Sequence, residues 1–186
     1  MQPTMEFRHL AIPDILVIQP KIFSDERGFF FEVYRKDHLG EAGIESEFVQ
    51  DNHSGSRRAS LRGLHYQIQH PQGKLVRLVT GEAYDVAVDL RRRSSTFGRW
   101  VGVHLSAEKK DELWVPPGFA HGFYVLSQWA EVLYKTTDYY APQWERSLLW
   151  NDPALGIEWP IPAGQQPLLS EKDRNAPPLS EAEVYE

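Results

Sequence analysis

The sequence contains no cysteine. Disulfides and thiolate metal ligands are therefore out of the question, and a reducing compartment suits the chain. No apolar run approaches the ~20 residues needed to span a bilayer. The start, Met1-Gln2-Pro3-Thr4-Met5-Glu6, lacks both the basic residues and the apolar stretch of a signal peptide. The expectation is a soluble, cytoplasmic protein with no membrane partner. Positive charge is in deficit, with 20 Lys and Arg against 26 Asp and Glu and a formal net charge of -6. No global field attracts nucleic acid, so any anionic ligand must be held by a local cluster of Arg and Lys. Internal repeats and interdomain linkers are also missing. The 186 residues read as one domain, 1–186, with a core over about 8–173 and a polar, acidic tail over about 174–186.

Aromatic residues are plentiful: nine Phe, eight Tyr and six Trp, which suits a β-rich core and a stacking pocket. Short extended runs follow one another. Ile15-Leu16-Val17-Ile18 precedes Pro20, which marks an edge position. Ser24-Asp25-Glu26-Arg27-Gly28 is a turn. In Phe29-Phe30-Phe31-Glu32-Val33-Tyr34, three successive phenylalanines cannot face one side, so both faces of that strand need cover, for example at an interface. Glu32 is either a solvent-facing break in this run or an inward acceptor for a sugar hydroxyl. Residues 35–43 read as the one clear helix, with Asp37 as N-cap and Gly43 as stop. Gln50 and Asn52 share a face if Phe48 to Ser54 is extended, and a polar loop follows from Gly55 to Ser60. Tyr84 to Leu90 alternates: Tyr84, Val86, Val88 and Leu90 on one face, Asp85, Ala87 and Asp89 on the other, expected to be a solvated outer face. Arg91-Arg92-Arg93 reads as a solvated basic loop. Tyr134, Thr136, Asp138 and Tyr140 share a face on an even count. Many short strands with turns between them and few helices argue an all-β sandwich or barrel.

Chemistry concentrates in Ser60-Leu61-Arg62-Gly63-Leu64-His65-Tyr66-Gln67 and in Gln72-Gly73-Lys74. Arg62 and His65 are an odd number of residues apart, so an unbroken strand would point them opposite ways. Gly63 lies between them, and a strand glycine often marks a bulge or a close backbone approach, so both could line one cavity. The bland alternative is a surface arginine, a half-buried histidine and a solvated lysine. A second such stretch, Val115-Pro116-Pro117-Gly118-Phe119-Ala120-His121, delivers His121 at the start of a strand.

Four segments in this order, Arg62 to Gln67, Gln72 to Lys74, Pro116 to Phe123 and Tyr134 to Tyr140, make the chain resemble dTDP-4-dehydrorhamnose 3,5-epimerases, from about Arg8 to about Asp173. The resemblance implies a cupin-like jelly roll, a homodimer with strands exchanged at the interface, and a dTDP-linked 4-keto-6-deoxyhexose substrate. It implies conversion of dTDP-4-dehydro-6-deoxy-D-glucose to dTDP-4-dehydro-β-L-rhamnose without cofactor or metal. By the same resemblance His65 is the general base, Asp173 its dyad partner, Tyr134 the acid on the other face, and Lys74 the group that stabilises the enolate oxygen. Arg27, Glu32, Gln50, Asn52, Arg62, His121, Glu145 and Lys172 match ligand-anchoring positions, and Tyr140 matches a residue that stacks on thymine.

The residue types suit that chemistry. A proton next to a ketone is far less acidic than imidazolium, and each unit of mismatch costs about 1.4 kcal/mol. A fixed cation at the ketone oxygen is typically the largest offsetting effect. Inversion of a carbon needs a base and an acid on opposite faces. Three alternatives stand beside this reading. A relative acting at only one of the two carbons, or a ketoisomerase, would share these motifs. A metal-binding cupin would need a His-x-His pair, but the position two after His65 is Gln67. A non-catalytic nucleotide-sugar-binding barrel would leave the base, acid and lysine together unexplained.

Overall fold

Strand β8 (Glu82–Asp89) shows how the chain builds its layers. Its residues alternate as the sequence predicts, but both faces are covered. Ala83 and Ala87 point into the central core, while Val86 and Val88 belong to a second cluster on the opposite side. Asp85 and Asp89 lie on the inner side and are buried, at 1% and 0% exposure. The expectation of a solvated aspartate face is thus overturned. The C-terminal third covers the valine face, and each aspartate has partners within the fold.

The computed structural model describes residues 5–186. The stretch 1–4, part of the start scanned above for a leader, lies outside the described residues. A six-stranded sheet has the order β1 (Met5–His9), β2 (Leu16–Pro20), β10 (Glu112–Val115), β7 (Lys74–Thr80), β12 (Trp129–Thr136), β5 (Gln50–Arg57). A five-stranded sheet has the order β13 (Glu145–Ser147), β6 (Leu61–Gln67), β11 (Phe119–Val125), β8, β9 (Trp100–Ser106). All pairings within them are antiparallel. The sheets form a cupin-like jelly roll around a core that includes Val17, Val76, Leu113 and Val132 from the first and Ala83, Ala87, Leu105 and Phe123 from the second.

Several local expectations change. Strand β2 is not an edge: β1 pairs with it, and Pro20 is tolerated as its last residue, opposite Met5. The polar stretch after Ser54 continues as strand to Arg57. Helix α1 spans Lys36–Glu41, with Arg35 at the N-cap position, so Asp37 is a first-turn residue. Asp37 pairs with the Arg35 guanidinium at 2.8 Å instead of capping. Gly43 does end the helix, with φ of 79°. A second helix, α2 (Glu171–Arg174), is capped by Ser170, whose hydroxyl accepts from the Asp173 amide at 3.1 Å. Arg91 is not free in solvent: it binds Asp89 at 2.8 Å and Asp14 at 2.9 Å.

The triple-phenylalanine run forms only half of a ribbon, β3 (Phe23–Asp25) with β4 (Gly28–Phe30). It is not covered within the chain: Phe29 and Phe30 are 62% and 66% exposed. The acidic tail, in contrast, is docked. Leu179, Ala182, Val184 and Tyr185 pack on the outer cluster of the five-stranded sheet. The Tyr66 hydroxyl donates to the Glu183 carbonyl at 2.5 Å. No helix among the described residues is long and apolar enough to cross a membrane.

Candidate functional site

A cavity of about 800 Å³ opens between the sheets. Its lining includes Gln50 and Asn52 from β5, Arg62 and His65 from β6, Lys74 from β7, His121 from β11 and Tyr134 from β12. Tyr140, Glu145, Lys172 and Asp173 complete the polar wall.

Arg62 and His65 meet there because β6 carries one residue more than its partner. His65 pairs with His121, while Arg62 pairs with Phe123. Three steps on β6 therefore match two on β11, which is a bulge, and both side chains turn inward. Gly63 makes it possible with φ of 121°. A Cβ at this position would lie 2.6 Å from the Gly122 Cα and 2.8 Å from the His121 carbonyl oxygen.

His65 Nε2 is 2.5 Å from Asp173 Oδ1. With the carboxylate ionised, Nε2 donates the proton and Nδ1 keeps the basic lone pair. Burial lowers the His65 pKa, and this outweighs the opposing pull of Asp173; Lys172 and Lys74 lower it further. The imidazole is thus neutral at neutral pH. Burial alone would raise the Asp173 carboxyl, but the His65 and Ser170 hydrogen bonds and nearby charge keep it below the ordinary carboxylate range.

Lys74 is buried, and its Nζ donates to the His65 carbonyl at 3.2 Å. Burial brings its pKa down to about 8, although Asp85 and Glu145 favour the charged form. Burial raises the Tyr134 phenol, and Glu145 adds to this against the opposing charge of Arg62. The phenol therefore keeps its proton at neutral pH. The imidazole and the phenol stand on different walls, since β6 belongs to one sheet and β12 to the other.

At one side, Lys172 contacts Glu145 at 2.6 Å, and the Tyr140 hydroxyl donates to the other Glu145 oxygen at 3.0 Å. Arg62 is braced by Ser56 at 2.8 Å and the Gly55 carbonyl at 3.2 Å. His121 Nε2 is 2.7 Å from Asp85 Oδ1, and both residues are buried. The other Asp85 oxygen is buried without a hydrogen-bond partner. Sequence reasoning missed Asp85, and the strand alternation alone offered no way to decide which of its two faces was the inner one.

Arg27 and Glu32 are not brought to this cavity. Arg27 lies at the β3–β4 turn, paired with Asp25, and its side chain is 86% exposed. Glu32 pairs with Arg35 at 3.3 Å, and its second carboxylate oxygen is buried without a hydrogen-bond partner. Among the described residues, no three His, Asp or Glu side chains gather in a way that could hold a metal ion. Gln67, two residues after His65, is engaged with backbone groups instead.

Comparison with known proteins adds to this geometry. The family model for dTDP-4-dehydrorhamnose 3,5-epimerase matches residues 9–181. A protein of that name from Pseudomonas aeruginosa is 57% identical over 182 residues, covering 97% of this chain and 99% of its own. One from Salmonella typhimurium is 58% identical over 178 residues, covering 95% and 96%. The crystal structure of a dTDP-6-deoxy-D-glucose-3,5-epimerase from Legionella pneumophila, in complex with dTDP-4-keto-L-rhamnose, superimposes with a TM-score of 0.93. Its sequence is 51% identical to this one, over 96% of this chain and 95% of that one.

Proposed function

The chain belongs to the dTDP-4-dehydrorhamnose 3,5-epimerase family, and on that premise we propose how its residues divide the reaction. The enzyme is an isomerase that converts dTDP-4-dehydro-6-deoxy-D-glucose to dTDP-4-dehydro-β-L-rhamnose. It removes and returns a proton at C3 and at C5, the carbons flanking the 4-keto group. In our reading neutral His65, oriented by Asp173, takes each proton. The Lys74 ammonium meets the negative charge that develops on the ketone oxygen. Tyr134 returns a proton from the opposite side. The observation that supports this division is that His65 and Tyr134 stand on different sheets and line one cavity together with Lys74.

Arg62 and Lys172 supply the positive charge for the diphosphate, Arg through its planar fork of donors. Tyr140 offers a half-exposed ring for thymine. Gln50, Asn52, His121 and Glu145 are the remaining anchors. Cofactor and metal have no part in this scheme.

The test is deuterium placement. In D₂O the wild type is expected to label C3 and C5 of the sugar, located by NMR. Tyr134→Phe should bind substrate and retain exchange, yet lose inversion by about 10²-fold or more, the usual contribution of a positioned acid. Full activity in this variant would remove Tyr134 from the acid's role.

We also propose a cytoplasmic homodimer. The apolar tip of the β3–β4 ribbon supports it, because exposed Phe23, Phe29 and Phe30 need cover. In this reading Arg27 and Glu32, which stand outside their own cavity, serve the partner's. The wild type should elute from the soluble cell fraction at twice the chain mass. Phe29→Asp with Phe30→Asp should give a monomer with a raised KM, and an unchanged elution volume would sink the exchange model.

A further inference from the structure

Gln67 has no role in the scheme above, yet it is one of the most constrained side chains at the site. It lies on β6 opposite Glu145 of β13 and is 3% exposed. A buried amide must place two N–H donors and a carbonyl acceptor. Gln67 places all three on main-chain groups. Its Nε2 donates to the His70 carbonyl at 2.8 Å and to the Tyr139 carbonyl at 3.2 Å. Its Oε1 accepts from the Ala141 amide at 2.7 Å. The last two contacts fall on either side of Tyr140, whose own amide donates to Gln50 Oε1 at 3.0 Å. Gln67 is itself held from behind, since the Tyr185 hydroxyl donates to its carbonyl at 2.6 Å.

We propose that Gln67 is the positioning residue for the nucleotide end of the site: its amide grips the chain before and after Tyr140 and fixes that ring as a face for the pyrimidine. The inference rests on the reading of Tyr140 as the thymine platform. Residues 139–141 contain no strand or helix, so they depend on side chains for their order. A platform held in place before the ligand arrives avoids the ordering cost of binding. Gln67 acts through Tyr140 and not on the reacting carbons, so its loss weakens binding and spares the chemical step.

Gln67→Met removes all three bonds at similar volume. In the full-length protein, calorimetry with dTDP should show Kd raised about tenfold. KM for the nucleotide sugar should rise with it, while kcat changes by less than about twofold. A purely structural role would lower Tm and leave Kd alone. In the Tyr140→Ala background, adding Gln67→Met should cost nothing further, because the two act as one unit. Unchanged dTDP affinity in Gln67→Met, or a loss that adds in full to that of Tyr140→Ala, overturns the proposal and leaves the platform standing. If Tyr140→Ala alone leaves dTDP affinity unchanged, the platform reading falls and the proposal falls with it. Gln67→Glu keeps the acceptor for Ala141 but sets a carboxylate oxygen against the His70 and Tyr139 carbonyls, so it should weaken dTDP binding at least as much as Gln67→Met. It carries the same comparison if Gln67→Met does not fold.

Discussion

His65→Ala is expected to abolish both turnover and the entry of solvent deuterium at C3 and C5. A positioned base contributes about 10²–10⁴-fold, and here the same imidazole serves both carbons, so neither exchange has a substitute route. Asp173 does not take over. Its carboxyl sits 2.5 Å from the imidazole nitrogen, behind the ring. Without His65 it becomes a buried carboxyl with its principal hydrogen-bond partner gone, and its pKa rises. Leaving such a group unsatisfied costs about 1–3 kcal/mol of stability, so circular dichroism must first establish that the variant is folded. Binding of dTDP should persist, because Arg62, Lys172 and Tyr140 are untouched. Deuterium exchange continuing in a folded His65→Ala protein would assign the base to another residue.

Lys74→Met should lower kcat by about 10²–10³-fold, the loss typical when a preorganised charge-stabilising group is removed. The same residue sets a pH signature. Its ammonium loses its proton near pH 8, as burial dictates. The active form is the protonated one, so the wild-type rate should fall as pH rises through that value. In the proposed scheme His65 works as the neutral base, and burial holds its pKa below the usual imidazole value. The acid limb of the profile should therefore lie below the ordinary histidine range. Lys74→Arg keeps its charge over the whole accessible range. It should be slower than wild type yet lose the alkaline limb. An unchanged alkaline limb in Lys74→Arg would detach Lys74 from the ketone oxygen.

Part of this site was legible in the strand pattern, where spacing maps onto facing, while Lys172 and Asp173, on a short helix, were named by the resemblance alone. The glycine between Arg62 and His65 left a bulge open as one reading, and the register shift beside His121 is that bulge. Gln50 and Asn52 were placed on one face by an even count, and both line the cavity. What failed to show was sidedness. Tyr84 to Leu90 alternates correctly, but no local rule reveals that residues 148 to 185 will cover the valine face. Asp85 and Asp89 were therefore assigned to solvent. Asp89 finds Arg91, Ser94 and Thr96 within seven residues, whereas Asp85 finds His121 across 36. The tail's acidic composition likewise gave no sign that Leu179, Ala182, Val184 and Tyr185 would dock on the sheet. Arg27 and Glu32 were named by the resemblance alone, and the cavity of one chain does not include them.

The added residue on β6 has one more effect. On either side of Gly63 the strand runs half a period out of step, so Leu61, Leu64 and Tyr66 join apolar clusters while Arg62, His65 and Gln67 contribute polar groups to the cavity lining. Shortening the strand by that single glycine would restore a uniform alternation. Arg62 and His65 would then stand two positions apart and still share a face, as would Leu61 and Leu64; straightening the strand with Gly63 kept is the change that would turn Arg62 toward the apolar layer and Leu61 toward the cavity.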